Sequence, residues 1–286
     1  MQNIPYVLDM PASRTSCVVF SSPHSGRNYP QSLLKRTVLN ESMIRSSEDA
    51  FVDQLFSAAT LFGAPMISAV MPRAYLDLNR SADELDPALI QGARRSGHNP
   101  RVASGLGVIP RVVANGRAIY RGKLTMDEAR LRIDTCWRPY HARVKSLLKE
   151  SHDAFGQAIL VDCHSMPHEA VAMAGSSKSS RPDVVLGDRF GASASAEVVD
   201  RIEAACVAAG LNVARNAPFA GAYVTQTYGR PARHQHAVQI EVDRALYMDE
   251  VKIEPNENFA AFQDTLRHII RDIASIGNES LRLAAE

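Results

Sequence analysis

The sequence lacks an excess of charge of either sign, and it has no long apolar run. Its 286 residues include 32 Lys and Arg against 31 Asp and Glu, which leaves a formal net charge of +1. Proteins that bind nucleic acid usually carry a basic patch or stripe, and this balance gives no such footprint. No stretch approaches the roughly 18 consecutive apolar residues of a membrane span. We therefore expect neither a nucleic-acid partner nor a membrane partner, and no feature of the sequence indicates an oligomeric state.

Cysteine is also scarce, and the cysteines present are far apart. Cys17, Cys136, Cys163 and Cys206 show no two-residue spacing, so the sequence suggests neither a zinc knuckle nor a redox pair. The segment MQNIPYVLDMPASR lacks the basic start and the apolar stretch of a signal peptide. We expect four free thiols in a cytoplasmic protein.

What the sequence does contain is an alternation of strand-like and helix-like segments. Strands are predicted at CVVFSS, residues 158–162, DVVLGD and HAVQIEVDR, and APMISAVMPRAYLDLNR is predicted to be another strand or a pair of strands. Helices are predicted at SSEDAFVDQLFSAATLFG, which ends at Gly63, and at about 194–209 and 256–275. A further helix opens with a capping box at Thr125 and Glu128, and Pro139 either kinks it or divides it in two. Residues 81–124 show little periodicity and are predicted to be a long irregular excursion.

Strands interleaved with helices predict the fold class. They imply a mixed, mostly parallel sheet covered by helices on both faces, which is a three-layer α/β sandwich. The hydrophobic content of 45% supports a substantial core. Because no repeat or linker interrupts the chain, we expect residues 1–286 to form a single domain.

Two histidines follow predicted strands, at the sheet edge where α/β proteins place their sites. His24 follows CVVFSS and His164 follows AILVDC. Side chains alternate along a strand, so Asp162 and His164 should face one way and Cys163 the other. A carboxylate beside an imidazole suits a metal-binding histidine that is held through its second ring nitrogen. The alternative is a hydrogen-bonded structural histidine at each strand end.

A carboxylate ligand could come from SSED, where Glu48 and Asp49 open a predicted helix. Carboxylates in a first helical turn are favoured by the exposed amides and the helix dipole with or without a metal. These two residues therefore allow a metal site without requiring one.

The segment HAVQIEVDR places apolar residues on one strand face and Gln239, Glu241 and Asp243 on the other. An ionisable residue in the middle of an apolar strand is costly to bury without a partner. Either the segment is an edge strand with a hydrated polar face, or Glu241 is a general base that faces a metal site.

Seven motifs occur in order over about residues 16–270: SSPHSGRNYP, EDAFVDQLF, AYLDLNR, GVIP, DCHSMP, PFAGAYVTQTYGRP and IEVDRALYMDE. This ordered set resembles the N-formylglutamate amidohydrolase family, itself similar to the zinc carboxypeptidases and the aspartoacylase group. The resemblance implies a zinc-carboxypeptidase-like (phosphorylase/hydrolase-like) fold. It also implies zinc-dependent hydrolysis of N-formyl-L-glutamate, a small N-acyl amino acid, to formate and glutamate.

The same resemblance implies a Zn²⁺ ion held by His24, Asp49 and His164, with Asp49 rather than Glu48 at the family's Asp position. Two imidazoles and one carboxylate leave the fourth tetrahedral position open for water, as a catalytic zinc site requires. Glu241 resembles the general base of the carboxypeptidase-like enzymes, which takes a proton from water and passes it to the leaving amine.

Substrate-binding residues are implied as well. LNR resembles a clamp for the substrate carboxylate, in which Arg80 grips with two parallel hydrogen bonds and Asn79 helps to orient the group. Arg73, in the same stretch, is assigned to this set, and Gly221 and Tyr223 are expected to border the pocket. Without the family context, an ordinary capping or surface arginine is the simpler interpretation of Arg80.

The glycine-rich loop departs from the family pattern. Gln226 and Thr227 stand where an Arg-His pair is often found. Losing a cation that could hold the second substrate carboxylate weakens the expected preference for a glutamate side chain, and Arg230 or Arg233 are the candidates to replace it. Two other functions stay open: an amidase of the same mechanism acting on another N-acyl amino acid or a small peptide, and a non-catalytic binding protein on a hydrolase scaffold.

Overall fold

A seven-stranded sheet forms the middle layer of the structure, a computed structural model that describes residues 4–94, 99–172 and 181–277. Its strands are β1 (Tyr6–Asp9), β2 (Val18–Ser22), β3 (Met66–Ala69), β4 (Ala158–Met166), β5 (Val184–Gly187), β6 (Val213–Arg215) and β7 (Gln235–Asp243). A separate hairpin pairs β8 (Met248–Asp249) with β9 (Glu254–Pro255).

The described α-helices are α1 (Gln31–Leu34), α2 (Glu41–Arg45), α3 (Val52–Leu55), α4 (Pro100–Ala103), α5 (Met126–Arg132), α6 (Arg138–Phe155), α7 (His168–Ala172), α8 (Ala196–Ala208), α9 (Tyr223–Tyr228) and α10 (Phe259–Ala274). Short 3₁₀ turns occur at Ser57–Phe62, Ala114–Gly116, Pro231–Arg233 and Arg244–Leu246. Among the described residues, no helix is long and apolar enough to cross a membrane.

The strand order is β1-β3-β2-β4-β7-β5-β6. The pairs β1–β3 and β5–β7 are antiparallel, and the other neighbouring strands run parallel. Helix α6 packs on β2 and β4, while α8 and α10 pack against each other in the layer on the opposite face. The predicted mixed, mostly parallel sheet with helices on both faces is confirmed, whereas a single domain over residues 1–286 stays a prediction.

The two longest strands, β4 and β7, lie side by side at the centre of the sheet. Their register pairs His164 with Glu241 directly. Because β7 is flanked by β4 and β5, the edge-strand interpretation of HAVQIEVDR is wrong. Glu241 is buried in a central strand, where a carboxylate is costly to bury unless a partner or a function offsets that cost.

Strand alternation separates two cores. Val161 and Cys163 pack into the layer of α8 and α10, whereas Leu160 packs into the layer of α6. Asp162 and His164 alternate with Val161 and Cys163, so they face away from the α8 and α10 layer, as predicted. All four cysteines are buried and free, which confirms the expected thiols.

The prediction of one long helix over SSEDAFVDQLFSAATLFG is wrong. The structure has only the single turn α3, followed by the 3₁₀ segment Ser57–Phe62. Phe51 adopts a left-handed φ of 66°, which a right-handed helix cannot contain. Asp49 therefore lies in a turn before the helix, where its backbone N–H donates to the carbonyl of His24.

The backbone is helical without a break from Met126 to Phe155, so the alternative of two separate helices at Pro139 is wrong. A π-helical segment, Ile133–Trp137, joins α5 to α6 directly before Pro139, and a kink at this proline stays a prediction. Thr125 caps α5 by accepting a hydrogen bond from the Glu128 N–H at 3.1 Å, which confirms the predicted start.

The excursion over residues 81–124 is irregular, as expected. Its described part contains α4 and one 3₁₀ turn, and single bridges such as Ile90 to Leu124 and Val112 to Ala118 fix its path. This segment forms one wall of the cavity described below.

Candidate active site

A cavity of about 620 Å³ opens at the carboxyl ends of the central strands. His24 follows β2, His164 lies near the end of β4, and Glu241 lies near the end of β7, and all three line the cavity. Other parts of its wall come from side chains within the segments 46–49, 73–80, 101–116 and 218–222, not all of whose residues line the cavity. The sheet topology alone therefore brings together polar residues that are far apart in sequence.

Three buried side chains converge at the base of this cavity. His24, Asp49 and His164 offer potential ligand atoms that all lie within 4.8 Å of one another. Nδ1 of His164 lies 2.8 Å from Oδ2 of Asp49, and Nδ1 of His24 lies 3.3 Å from the same oxygen. Two imidazole nitrogens and one carboxylate at this spacing form a donor set suited to Zn²⁺.

The second nitrogen of each imidazole contacts another carboxylate. Nε2 of His24 lies 2.7 Å from Oδ1 of Asp77, and Nε2 of His164 lies 2.9 Å from Oδ2 of Asp162. A proton on each Nε2 satisfies these contacts, and the lone pairs of both Nδ1 atoms then point toward Asp49.

The donor set fits a metal ion on a further observation. Nδ1 of His24 is buried and has no hydrogen-bond partner within the described part of the chain. A buried nitrogen of this kind is costly to leave unpaired. A cation bound among His24, Asp49 and His164 would satisfy it.

The electrostatics of the site favour an ionised Asp49. Burial alone raises the pKa of Asp49, but the close contacts of its carboxylate with the imidazoles of His164 and His24 outweigh burial and hold the pKa well below its usual value. Nη2 of Arg244 also donates to Oδ1 of Asp49 at 3.0 Å. For His164, burial lowers the pKa, while the carboxylates of Asp162 and Asp49 raise it well above the ordinary value.

Of the two adjacent acids, Asp49 and not Glu48 lines the cavity. Glu48 accepts a hydrogen bond from the hydroxyl of Tyr29 at 2.5 Å and pairs with Arg45 at 3.1 Å. Its carboxylate is thus engaged by Tyr29 and Arg45. The geometry favours the choice of Asp49 as the candidate ligand.

Glu241 lines the same cavity beside His164. Its Oε1 accepts a hydrogen bond from Nε2 of Gln239 at 2.8 Å. Burial raises the pKa of Glu241 to about 7, assisted by the charge of Asp49 and opposed by His164 and Arg73. A carboxyl group with a pKa near neutrality can both accept and donate a proton during a reaction.

Asn79 and Arg80 of LNR lie on the cavity wall, together with Arg73. Arg80 donates from Nε to the carbonyl of Leu106 at 3.0 Å and from Nη1 to the carbonyl of Asn79 at 2.8 Å. Asn79 accepts a hydrogen bond from the N–H of Val224 at 2.8 Å, which ties it to α9. Arg73 donates a hydrogen bond to Asp77 at 2.8 Å, and Asp77 is the carboxylate that contacts Nε2 of His24.

Of the two residues of the glycine-rich loop expected to border the pocket, Gly221 lines the cavity and Tyr223 does not. Gly221 lines the cavity with φ of 101°, and a Cβ there would lie 2.5 Å from Oγ1 of Thr225, so only glycine fits. Tyr223 instead packs on Trp137 and His141, with ring centroids 5.8 and 5.4 Å apart, and is not among the described residues that line the cavity.

Arg230 and Arg233 also lie elsewhere. They line a second cavity of about 530 Å³, together with Trp137, His141 and Tyr228. His141 belongs to α6, Trp137 directly precedes α6, and Tyr228 is the last residue of α9. The two arginines expected to replace a missing cation are thus not among the residues that line the cavity of His24 and His164.

The sequence predicted no role for Asp77, Arg244 or Gln239, which contact His24, Asp49 and Glu241. A signal was nevertheless present. Asp77 lies in AYLDLNR, and the other two lie within or beside IEVDR, the motifs that carry the family resemblance. Their roles follow from side-chain contacts between distant elements, which the spacing along the chain does not reveal.

Comparisons with known proteins show the family to which the chain belongs. The sequence pattern described as N-formylglutamate amidohydrolase matches residues 16–248. A Pseudomonas aeruginosa protein named N-formylglutamate deformylase is 30% identical over 259 residues, which covers 90% of each chain. The crystal structure of N-formylglutamate amidohydrolase from Ralstonia eutropha JMP134 is 34% identical, with a TM-score of 0.90 over 97% of this chain and 99% of that one.

A more distant structure, a gene product of Agrobacterium tumefaciens, is 17% identical with a TM-score of 0.64 and shares the fold alone. The family pattern and the Pseudomonas aeruginosa relative both span most of the sequence. The chain belongs to the N-formylglutamate amidohydrolase family.

Proposed function

We propose that this protein is a cytoplasmic, zinc-dependent amidohydrolase that cleaves N-formyl-L-glutamate to formate and glutamate. The observation that carries the proposal is the convergence of His24, Asp49, His164 and Glu241 in one cavity. Relatives of similar length that are named N-formylglutamate deformylase support the choice of substrate.

The ion would be held by Nδ1 of His24, Nδ1 of His164 and the carboxylate of Asp49. When bound, zinc supplies Lewis acidity, which polarises the formyl carbonyl and makes a water molecule a better nucleophile. Asp77 and Asp162 keep the two imidazoles in the orientation and tautomer that this binding needs, through contacts at Nε2 of 2.7 and 2.9 Å.

Glu241 moves the proton. Its carboxylate takes a proton from the attacking water and delivers it to the amide nitrogen as the C–N bond breaks, which releases formate and the free amine of glutamate. The hydrogen bond from Gln239 to Oε1 fixes the carboxylate, so that the other oxygen is directed to the proton transfer. Burial supports this role because it raises the pKa of Glu241 to about 7.

Arg80 positions the substrate. Two of its nitrogens bind backbone carbonyls, which holds the guanidinium still, and its Nη2 makes no hydrogen bond within the described residues. This free edge is available for the α-carboxylate of an N-formyl amino acid. A clamp beside the catalytic groups places the formyl carbonyl at a fixed distance from Glu241.

The proposal is tested by measuring formate and acetate release from a panel of N-formyl and N-acetyl amino acids, with the protein loaded with zinc and with the protein stripped by a chelator. We expect the zinc-loaded protein to release formate from N-formyl-L-glutamate, and the stripped protein to be inactive until zinc is restored. Absence of formate release from every N-formyl amino acid would refute the proposed reaction. Undiminished release by the stripped protein would refute the role of the metal.

A further inference from the structure

One wall of the active-site cavity is built by the irregular excursion. The residues it contributes include Leu106, Pro110, Val112, Val113 and Ala114, and these are apolar. Arg101, in α4, is the one charged residue that the described part of the excursion beyond Arg80 contributes to this cavity. The wall therefore combines an apolar surface with one cation.

Among the described residues four arginines line the cavity, and Arg101 differs from the other three. Arg73 pairs with Asp77 at 2.8 Å, and Arg244 pairs with Asp49 at 3.0 Å. Arg80 is held by two backbone carbonyls. Within the described residues, the guanidinium of Arg101 makes no hydrogen bond or ion pair, and its side chain is exposed at the cavity. Its charge is therefore available to a ligand.

Arg101 also lies close enough to Arg80 for their charges to interact. Burial is the main cause of the lowered pKa of Arg80, and repulsion from Arg73 and Arg101 adds to it, against the attraction of Asp77. A ligand that carries two negative charges would offset the repulsion between these two positive charges. A dicarboxylate could contact Arg80 with one end and Arg101 with the other.

We infer that Arg101 binds the side-chain carboxylate of the substrate and sets its preference for an acidic amino acid, an inference that rests on the proposed deformylase function. The apolar wall beside Arg101 suits the methylene groups that separate the two carboxylates of glutamate. Arg101 thus supplies the cation that Gln226 and Thr227 lack, from a different element of the fold.

The test compares kcat/KM for N-formyl-L-glutamate and N-formyl-L-glutamine in the zinc-loaded wild type and in Arg101→Gln. We expect the variant to lose about 10- to 100-fold on the glutamate substrate, because a charge-assisted hydrogen bond is removed, and to change little on glutamine. Arg117→Gln is the matched control. Arg117 is an exposed arginine of the same excursion that does not line the cavity, and this variant should keep the wild-type ratio.

Product binding gives a second readout that does not depend on turnover. Calorimetric titration should show weaker binding of L-glutamate to Arg101→Gln than to the wild type, with L-glutamine binding equally to both. An active wild type whose ratio is unchanged in Arg101→Gln would overturn the inference alone. Abolition of the preference by Arg230→Gln or Arg233→Gln instead would overturn it as well. A wild type inactive on all N-formyl amino acids would overturn the proposed function, and the inference with it.

Discussion

Oδ1 of Asp77 lies 2.7 Å from Nε2 of His24, on the opposite side of the imidazole from Asp49. His164 has the same arrangement, with Asp162 at Nε2 and Asp49 at Nδ1. Each histidine is thus fixed between two carboxylates: one is its own partner at Nε2, Asp77 or Asp162, and the other is Asp49, which both histidines share. The shared carboxylate and the two Nδ1 atoms face a common point, which is where we propose that zinc binds.

This relationship predicts the effect of Asp77→Asn. The amide can donate a hydrogen bond to Nε2 of His24, which would move the ring proton to Nδ1 and remove the lone pair needed for metal binding. We expect zinc affinity to fall by about 10- to 100-fold, measured by competition with a chromogenic chelator. Asp86→Asn is the control, because Asp86 is a buried acid paired with Arg111 that does not line the cavity. Equal affinity in Asp77→Asn and the wild type would contradict the proposed support.

Removal of a ligand tests the metal site directly. We expect the purified protein to bind about one zinc ion per chain, as a site with two histidines and one carboxylate implies. His164→Ala should abolish this binding, as measured by elemental analysis after dialysis against a trace of zinc. His152→Ala removes an exposed histidine of α6 and should keep full zinc content. Full occupancy in a folded His164→Ala protein would eliminate the site.

Glu241→Gln separates proton transfer from metal binding. The amide keeps the size of the side chain but cannot accept the proton from water, so we expect kcat to fall by roughly two to four orders of magnitude. Zinc content should stay at the wild-type value, because Glu241 is not among the three proposed ligands. Turnover close to that of the wild type would show that this buried glutamate has a structural role.

His141 predicts how stability depends on pH. The residue is buried, its Nε2 donates to the carbonyl of Leu78 at 2.9 Å, and its Nδ1 lies 2.9 Å from the hydroxyl of Tyr228. Burial lowers the pKa of His141 to about 4, from an ordinary value of 6.5, although the hydrogen bond to Leu78 opposes this shift. Between these two values the unfolded chain binds a proton that the folded protein excludes.

The contribution of His141 to stability is therefore complete above pH 6.5 and is lost as the pH falls toward 4. At pH 5 the loss amounts to about 2 kcal/mol. We expect the free energy of unfolding, measured with denaturant at pH 7.5 and 5.0, to fall about 2 kcal/mol more in the wild type than in His141→Gln. His268→Gln alters an exposed histidine of α10 and should leave the wild-type slope in place. A slope in His141→Gln equal to that of the wild type would show that His141 is not the source.

The sequence predicted the parts of the site that depend on strand ends. His24 and His164 follow apolar runs that could be identified from periodicity, and the alternation of a strand fixed the side on which Asp162 lies. The helix expected after Asp49 was wrong because Phe51 takes a left-handed conformation, and no residue pattern indicated this. The position of Arg101 depends on how the irregular excursion folds back over the sheet, and that of Asp77 depends on the path of the chain between β3 and the excursion. Contacts between segments that are distant in sequence leave no periodic pattern from which they could be predicted.

The free α-carboxylate of the substrate is the group that we propose Arg80 binds. If Arg80 binds this group, converting it to an amide removes a charge-assisted interaction and leaves a mostly buried guanidinium without its partner, which costs about 2 to 5 kcal/mol. We expect kcat/KM for N-formyl-L-glutamate α-amide to be at least about thirtyfold below that for N-formyl-L-glutamate in the wild type. Arg80→Ala should lower the value for the acid and make the two compounds nearly equal, because neither can then use the clamp. Arg101→Gln serves as the contrast, since it should leave the ratio of α-acid to α-amide unchanged while it lowers the preference for the side-chain acid. If the wild type hydrolyses the α-acid and the α-amide equally well, then Arg80 does not bind this carboxylate, and the substrate is held in the cavity by other groups.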